Sequence, residues 1–207
     1  MKTIQNTVLT VLVFVSAGLT AQADLYVESG QQFGPDSLIY DSRTGLTWLK
    51  LTFSEGLSYS QTSADFQPGA QFAGFRYATA DEVLSLFNSA GFGQGTLTQT
   101  DPGYSAAGAL MSLIGMTAGG ETVGITGTLV NWGDTSLAEL SYITFNPGTS
   151  VYYVVGTVGN TDYALNTSYS SVGNWLVAVP EPSICALIFA GGILVPGLRG
   201  RRVRVKN

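Results

Sequence analysis

Thirteen carboxylates and a small set of aromatic side chains are the groups between residues 24 and 179 that could do chemistry on a ligand. The chain has no histidine, and its one cysteine, Cys185, lies in an apolar run near the C-terminus. Catalysis of the Ser-His-Asp or Cys-His kind needs an imidazole base, so neither is expected. Zinc sites built on His and Cys fall for the same reason, and no cofactor is expected. A glycosidase needs only two acids, which leaves a carboxylate-dependent hydrolase open. The acids are scattered, however. Asp81 and Glu82 stand where a helix begins, and negative charge is stabilising there. Asp101, Asp134 and Asp162 stand in Gly, Ser or Thr-rich joins, as turn formers do. No spacing matches an EF-hand, and no metal site is assigned. Of Trp48, Trp132, Trp175, Tyr152, Tyr153 and Phe75, most are expected in the core or half-buried on strands. Trp132, in the loop-like stretch Asn131-Trp132-Gly133-Asp134, is the candidate glycan contact. Arg76, near Asp81 and Glu82, is expected to form a structural ion pair.

The elements that must position these groups belong to one α+β domain of 156 residues, 24–179, an ordinary size for a single core. Leu38-Ile39-Tyr40 and Leu46-Thr47-Trp48-Leu49 flank Asp41-Ser42-Arg43-Thr44-Gly45, the pattern of a β-hairpin. Gly45 can take a positive φ that Thr44 would resist. A short helix is expected within Leu57 to Phe66, ended by Pro68-Gly69. A second starts at Thr79, whose side chain and that of Glu82 form a capping box. Val83, Leu86, Phe87 and Ala90 share one face of it, and Gly91 ends it. A third is expected from about Tyr104 to Met116, with Ala106, Ala109, Leu110 and Leu113 on one side. From Glu121 the period becomes two: Val123, Ile125 and Leu129 alternate with Thr122, Gly124, Thr126 and Thr128, as in a half-buried strand. Leu137 to Phe145, Ser150 to Val158 and Trp175 to Val179 complete an antiparallel sheet, with the two or three short helices placed mostly early.

Both ends read as addresses. Lys2 precedes the apolar run Thr7 to Leu19, and Ala21-Gln22-Ala23 is a small-x-small site for signal peptidase, so residues 1–23 are expected to be a cleaved signal. At the other end, Pro180-Glu181-Pro182 precedes a 16-residue apolar run, 183–198, and then Arg199, Arg201, Arg202, Arg204 and Lys206. A basic flank on one side of an apolar segment stays in the cytoplasm and stops translocation, although the run falls slightly short of the usual span. The domain between holds only Arg43, Lys50 and Arg76 against thirteen acids, a formal charge of −10. Such a surface repels phosphate backbones, so nucleic acid is excluded as a partner.

Pro180-Glu181-Pro182, the apolar stretch through Leu198 and the basic end at Arg199, Arg201 and Arg202 resemble the PEP-CTERM sorting signal of Gram-negative, exopolysaccharide-producing bacteria. The resemblance implies residues 180–207 as a sorting unit. An exosortase, a membrane-embedded transpeptidase-like enzyme, would recognise it and cleave near the motif. Two prolines suit that, because each fixes its own φ and keeps the segment extended. Within the domain, Asp41, Thr44-Gly45-Leu46-Thr47-Trp48, Phe72-Ala73-Gly74-Phe75-Arg76-Tyr77-Ala78-Thr79 and Glu82-Val83-Leu84 are similar to the Lcl C-terminal domain family of bacterial surface proteins. In this chain Phe75 replaces that family's Trp, and Tyr77-Ala78 its Leu-Pro. That resemblance implies adhesion or glycan contact and a C-type-lectin-like fold, and it names no binding residue.

The expectation is a non-enzymatic protein, exported across the inner membrane. Its C-terminal helix anchors it transiently, and it then resides at the cell surface or in the extracellular matrix. There it is structural or bound to exopolysaccharide. The alternatives are a carboxylate-dependent hydrolase of matrix polysaccharide and an envelope protein whose tail is never cut.

Overall fold

The computed structural model describes residues 24–117, 119–132, 135–158 and 164–179. The signal segment with Ala21 and Ala23, the sorting motif Pro180 to Pro182, the apolar run 183–198, the basic tail 199–207, Asp134 and Asp162 lie outside the described residues. Among the described residues no helix is long and apolar enough to cross a membrane.

The chain begins with three strands, β1 (Leu25–Gly30), β2 (Gly34–Asp41) and β3 (Leu46–Leu49). The β2–β3 hairpin is made by one aspartate. Buried Asp41 accepts from the Arg43 N–H at 2.9 Å and from the Thr44 hydroxyl at 2.8 Å. Its own carbonyl accepts from the N–H of Gly45, whose φ of 72° closes the turn. The register runs from Leu38 opposite Leu49 to Asp41 opposite Leu46.

Helix α1 (Tyr59–Ala64) is opened by a capping box between Ser58 and Gln61. After β4 (Phe75–Tyr77), α2 (Ala80–Ser89) is opened by a second box between Thr79 and Glu82, and Gly91 at φ 96° follows its end. Val83, Leu86 and Phe87 are fully buried, as their spacing requires. Strand β5 (Gly95–Leu97) leads to α3 (Tyr104–Ile114). Ala107, Leu110, Met111 and Ile114 enter the core. Ala106 and Leu113 are half-buried and Ala109 is exposed. The helix carries two adjoining apolar stripes, and only one is covered.

The second half is β6 (Glu121–Trp132), β7 (Thr135–Asn146), β8 (Val151–Val158), β9 (Gly173–Asn174) and β10 (Leu176–Ala178). These strands do not form one late antiparallel sheet. There are two five-stranded sheets, ordered β1-β2-β3-β10-β4 and β5-β8-β7-β6-β9, and β9 runs parallel to β6. The stretch expected as a strand from Trp175 to Val179 is β10 of the first sheet; the chain leaves the second sheet after Asn174 and enters the first at Leu176.

Strand β6 is also not half-buried. Val123 and Ile125 face a cluster with Phe72, Tyr77, Leu140 and Leu176, while Thr122 and Thr126, on the other face, are equally buried. The threonines are tolerated there because each hydroxyl is bonded: Thr122 to the Gly115 carbonyl and Thr126 to the Glu139 carbonyl, both at 3.2 Å. A second cluster gathers Ile39, Trp48, Leu51, Val83, Leu86, Phe87, Leu110, Ile114, Ile143 and Trp175.

Candidate functional site

Trp175 sits where the two sheets meet. Its backbone N–H donates to the Ile125 carbonyl and its carbonyl accepts from the Ala78 N–H, both at 2.8 Å. Its indole N–H donates to the Ser141 carbonyl at 3.0 Å. The ring meets Trp48 and Phe87 edge-on, with centroids 6.1 Å away in each case. Gly124 of β6 is required by this contact, because a Cβ there would stand 2.7 Å from the indole. Trp48 and Trp175 are therefore core residues, and neither can meet a ligand. Next to this seam, Asn174 bonds the carbonyls of Ser54 and Leu57 through its amide nitrogen and takes the Tyr77 hydroxyl at 2.7 Å. Burial pushes the Tyr77 phenol far up, so it stays a neutral donor.

The remaining predicted groups are dispersed. Trp132 closes β6, its backbone paired with Thr135, so this segment is a strand end and not a loop. Its side chain, like Gly133, lies outside the described residues. Phe75 is half-buried beside Phe33 at 5.7 Å, and Tyr152 is packed between Tyr104 and Phe145. Tyr153 alone among them is open, at 40% exposure. Arg76 and Glu82 form the expected pair, joined by two hydrogen bonds of 2.6 and 2.8 Å. Bonding to Arg76 holds the Glu82 carboxyl below its ordinary value, and the same bonds raise Arg76. Asp101 is the turn former expected of it. It takes the Thr98 N–H and hydroxyl, both at 2.7 Å, and those bonds depress its carboxyl. Among the described residues no three acids are grouped to hold a metal ion.

Among the clefts built by these elements, two are of about 400 Å³ or more. One, of about 400 Å³, lies where the segment after β5 meets the β7–β8 turn, and its lining is Thr98, Gln99, Thr100, Thr149, Ser150 and Val151. Its shape is fixed locally: the Thr98 and Thr100 hydroxyls are 2.9 Å apart, and Ser150 is held at a φ of 52°. Tyr153 follows Val151 by two residues on the same strand and so shares its face.

The other, of about 440 Å³, runs beside α3. Ala106, Ala109, Leu110 and Leu113 form one wall, Asn88 to Gly91 at the end of α2 form the other, and Asp24, Leu25 and Arg43 stand at the mouth. The Arg43 guanidinium donates to the Asn88 carbonyl at 3.3 Å, a favourable place for a cation at a helix C-terminus. Sequence reasoning missed this groove. Its one signal was the width of the apolar face of α3, which exceeds what a single core contact uses. Neither cleft brings two carboxylates together: Asp24 is the one acid lining the groove, and the hydroxyl-lined cleft has none.

Compared with known proteins, the chain matches no family model, no curated protein and no solved structure.

Proposed function

We propose that this chain is an exported, non-enzymatic protein of the cell surface or exopolysaccharide matrix. Signal peptidase removes residues 1–23, an exosortase acts at Pro180-Glu181-Pro182, and the domain released between them contacts glycan. The observation that carries this reading is the sequence at the two ends: Ala21-Gln22-Ala23 after the apolar run 7–19, and Pro180-Glu181-Pro182 before the apolar run 183–198 and its basic end. Next to the first, the Asp24 N–H donates to the Ser42 hydroxyl at 3.0 Å, and the Asp24 carbonyl accepts from the Ser42 N–H at 3.2 Å. Next to the second, the Val179 N–H donates to the Gly74 carbonyl at 2.8 Å.

The cleft lined by Thr98, Gln99, Thr100, Thr149 and Ser150 supports the glycan part. Hydroxyl and amide groups match the donor and acceptor pattern of a sugar. Tyr153, two residues along β8 from Val151 of the lining, is an exposed aromatic on the same strand face. The C-type-lectin-like comparison belongs to this same proposal, and the two-sheet α+β frame agrees with its class.

Mass spectrometry of the C-terminal peptide, taken from culture medium and from membranes, tests the processing. A chain ending near Pro180 supports it. A membrane-bound chain intact to Asn207 overturns it in favour of a permanent anchor. Retention of residues 24–179 on the producer's own polysaccharide tests the contact. Loss of retention in Tyr153→Ala together with Thr98→Ala would place it at the hydroxyl-lined cleft.

A further inference from the structure

The groove beside α3 holds a cation that the fold leaves without a carboxylate. Arg43 is one of three cations between residues 24 and 179. Of these, Arg76 is taken by Glu82, while Arg43 has no carboxylate within 4 Å among the described residues and donates to the Asn88 carbonyl. Ser89 also lines the groove, but its hydroxyl is enclosed and turned away from any ligand there. Facing Arg43, Ala106, Ala109 and Leu113 of α3 offer an aliphatic wall, with Ala106 and Leu113 also packed in part on the core. At the rim, the Asp24 carboxylate takes the Tyr26 hydroxyl at 3.1 Å.

The geometry points to this groove as a binding site for a small monocarboxylate with a short aliphatic body. The carboxylate meets the Arg43 guanidinium at the mouth, and the carbon chain lies along α3. A planar guanidinium is suited to a carboxylate. The volume of about 440 Å³ falls within the range of small-molecule sites. Charge narrows the choice further. A domain at −10 repels polyanions along its whole length, whereas a single carboxylate needs only the local cation. This site goes beyond the glycan contact proposed above and is independent of it.

The test is a backbone amide NMR titration of residues 24–179 with sodium hexanoate, with 1-hexanol and hexylammonium as matched probes that lack the carboxylate. Hexanoate is expected to shift residues 88–91 and 106–113 saturably. Hexanol is expected to bind about tenfold more weakly, as loss of a charge-assisted hydrogen bond implies, and hexylammonium more weakly still. Arg43→Gln should weaken hexanoate about tenfold, and Arg43→Lys less. Ala109→Trp, which fills the groove from an exposed position, should abolish saturation with the thermal midpoint unchanged. The proposal is overturned if hexanoate gives no saturable shift, if hexanol binds as tightly, or if neither Arg43→Gln nor Ala109→Trp alters the titration. Retention on polysaccharide is read separately and decides none of these outcomes.

Discussion

The seam at Trp175 and the groove beside α3 are both built from apolar side chains with a few polar atoms among them, and they differ in where the polar groups face. At the seam, the N–H, carbonyl and indole of Trp175 each have a partner, and the partners span both sheets. The match is not complete, because the buried Trp48 indole N–H beside it has no partner. Matched groups hold a shape, because leaving one buried and unpaired costs about 1–3 kcal/mol. At the groove, the polar group that stands out is an exposed one, the Arg43 guanidinium, which lacks a carboxylate. An exposed cation beside an aliphatic wall separates the two regions, where hydrophobicity alone would have grouped them together.

That contrast is open to measurement, and the largest effect is expected at the seam. Trp175→Ala should lower the unfolding free energy by about 4 kcal/mol in urea titration, the range for a buried aromatic truncated in place. Gly124→Ala drives a Cβ to within 2.7 Å of the same indole and should cost about 2 kcal/mol by overpacking. Thr79→Ala removes the cap of α2 and should cost about 1 kcal/mol, read in the same titration.

A smaller, pH-dependent effect belongs to Glu82. Its folded carboxyl is held low by Arg76. The stability it contributes is therefore present above its unfolded value near 4.5 and is lost as pH falls through the folded value. Glu82→Gln should cost less than about 1 kcal/mol at neutral pH and flatten that acid slope. Ala109→Leu at the groove should change stability by less than about 0.5 kcal/mol. If it destabilises the fold as Gly124→Ala does, the groove is part of the core and the contrast fails.

What the sequence made legible was local. The β2–β3 hairpin, both ends of α2 and the Arg76–Glu82 pair depend on residues within a few positions of each other, so their spacing carries the signal. What it did not make legible was decided at a distance. Thr122 and Thr126 look like outward positions of an amphipathic strand, yet each is buried because a carbonyl elsewhere meets its hydroxyl. The run from Trp175 to Val179 reads correctly as one strand, yet only the bonds of Trp175 to Ile125 and Ala78 show that the chain reaches it straight from the other sheet. The face of α3 is an intermediate case. Periodicity found an apolar stripe, but two stripes adjoin, and the choice between them lies in Ile143 and Val154 across the core.

The position of the last strand bears on how the molecule would carry a load. Strand β10 does not lie at an edge. It runs antiparallel to β3 on one side and β4 on the other, and Val179 leaves it directly toward the segment proposed to join the membrane. A pull applied through Val179 acts along the strand and loads both rows of hydrogen bonds in shear, all at once, where a strand peeled from an edge would surrender them singly. A tether placed there resists extraction of the chain end, and the force passes through Trp175 into both sheets together.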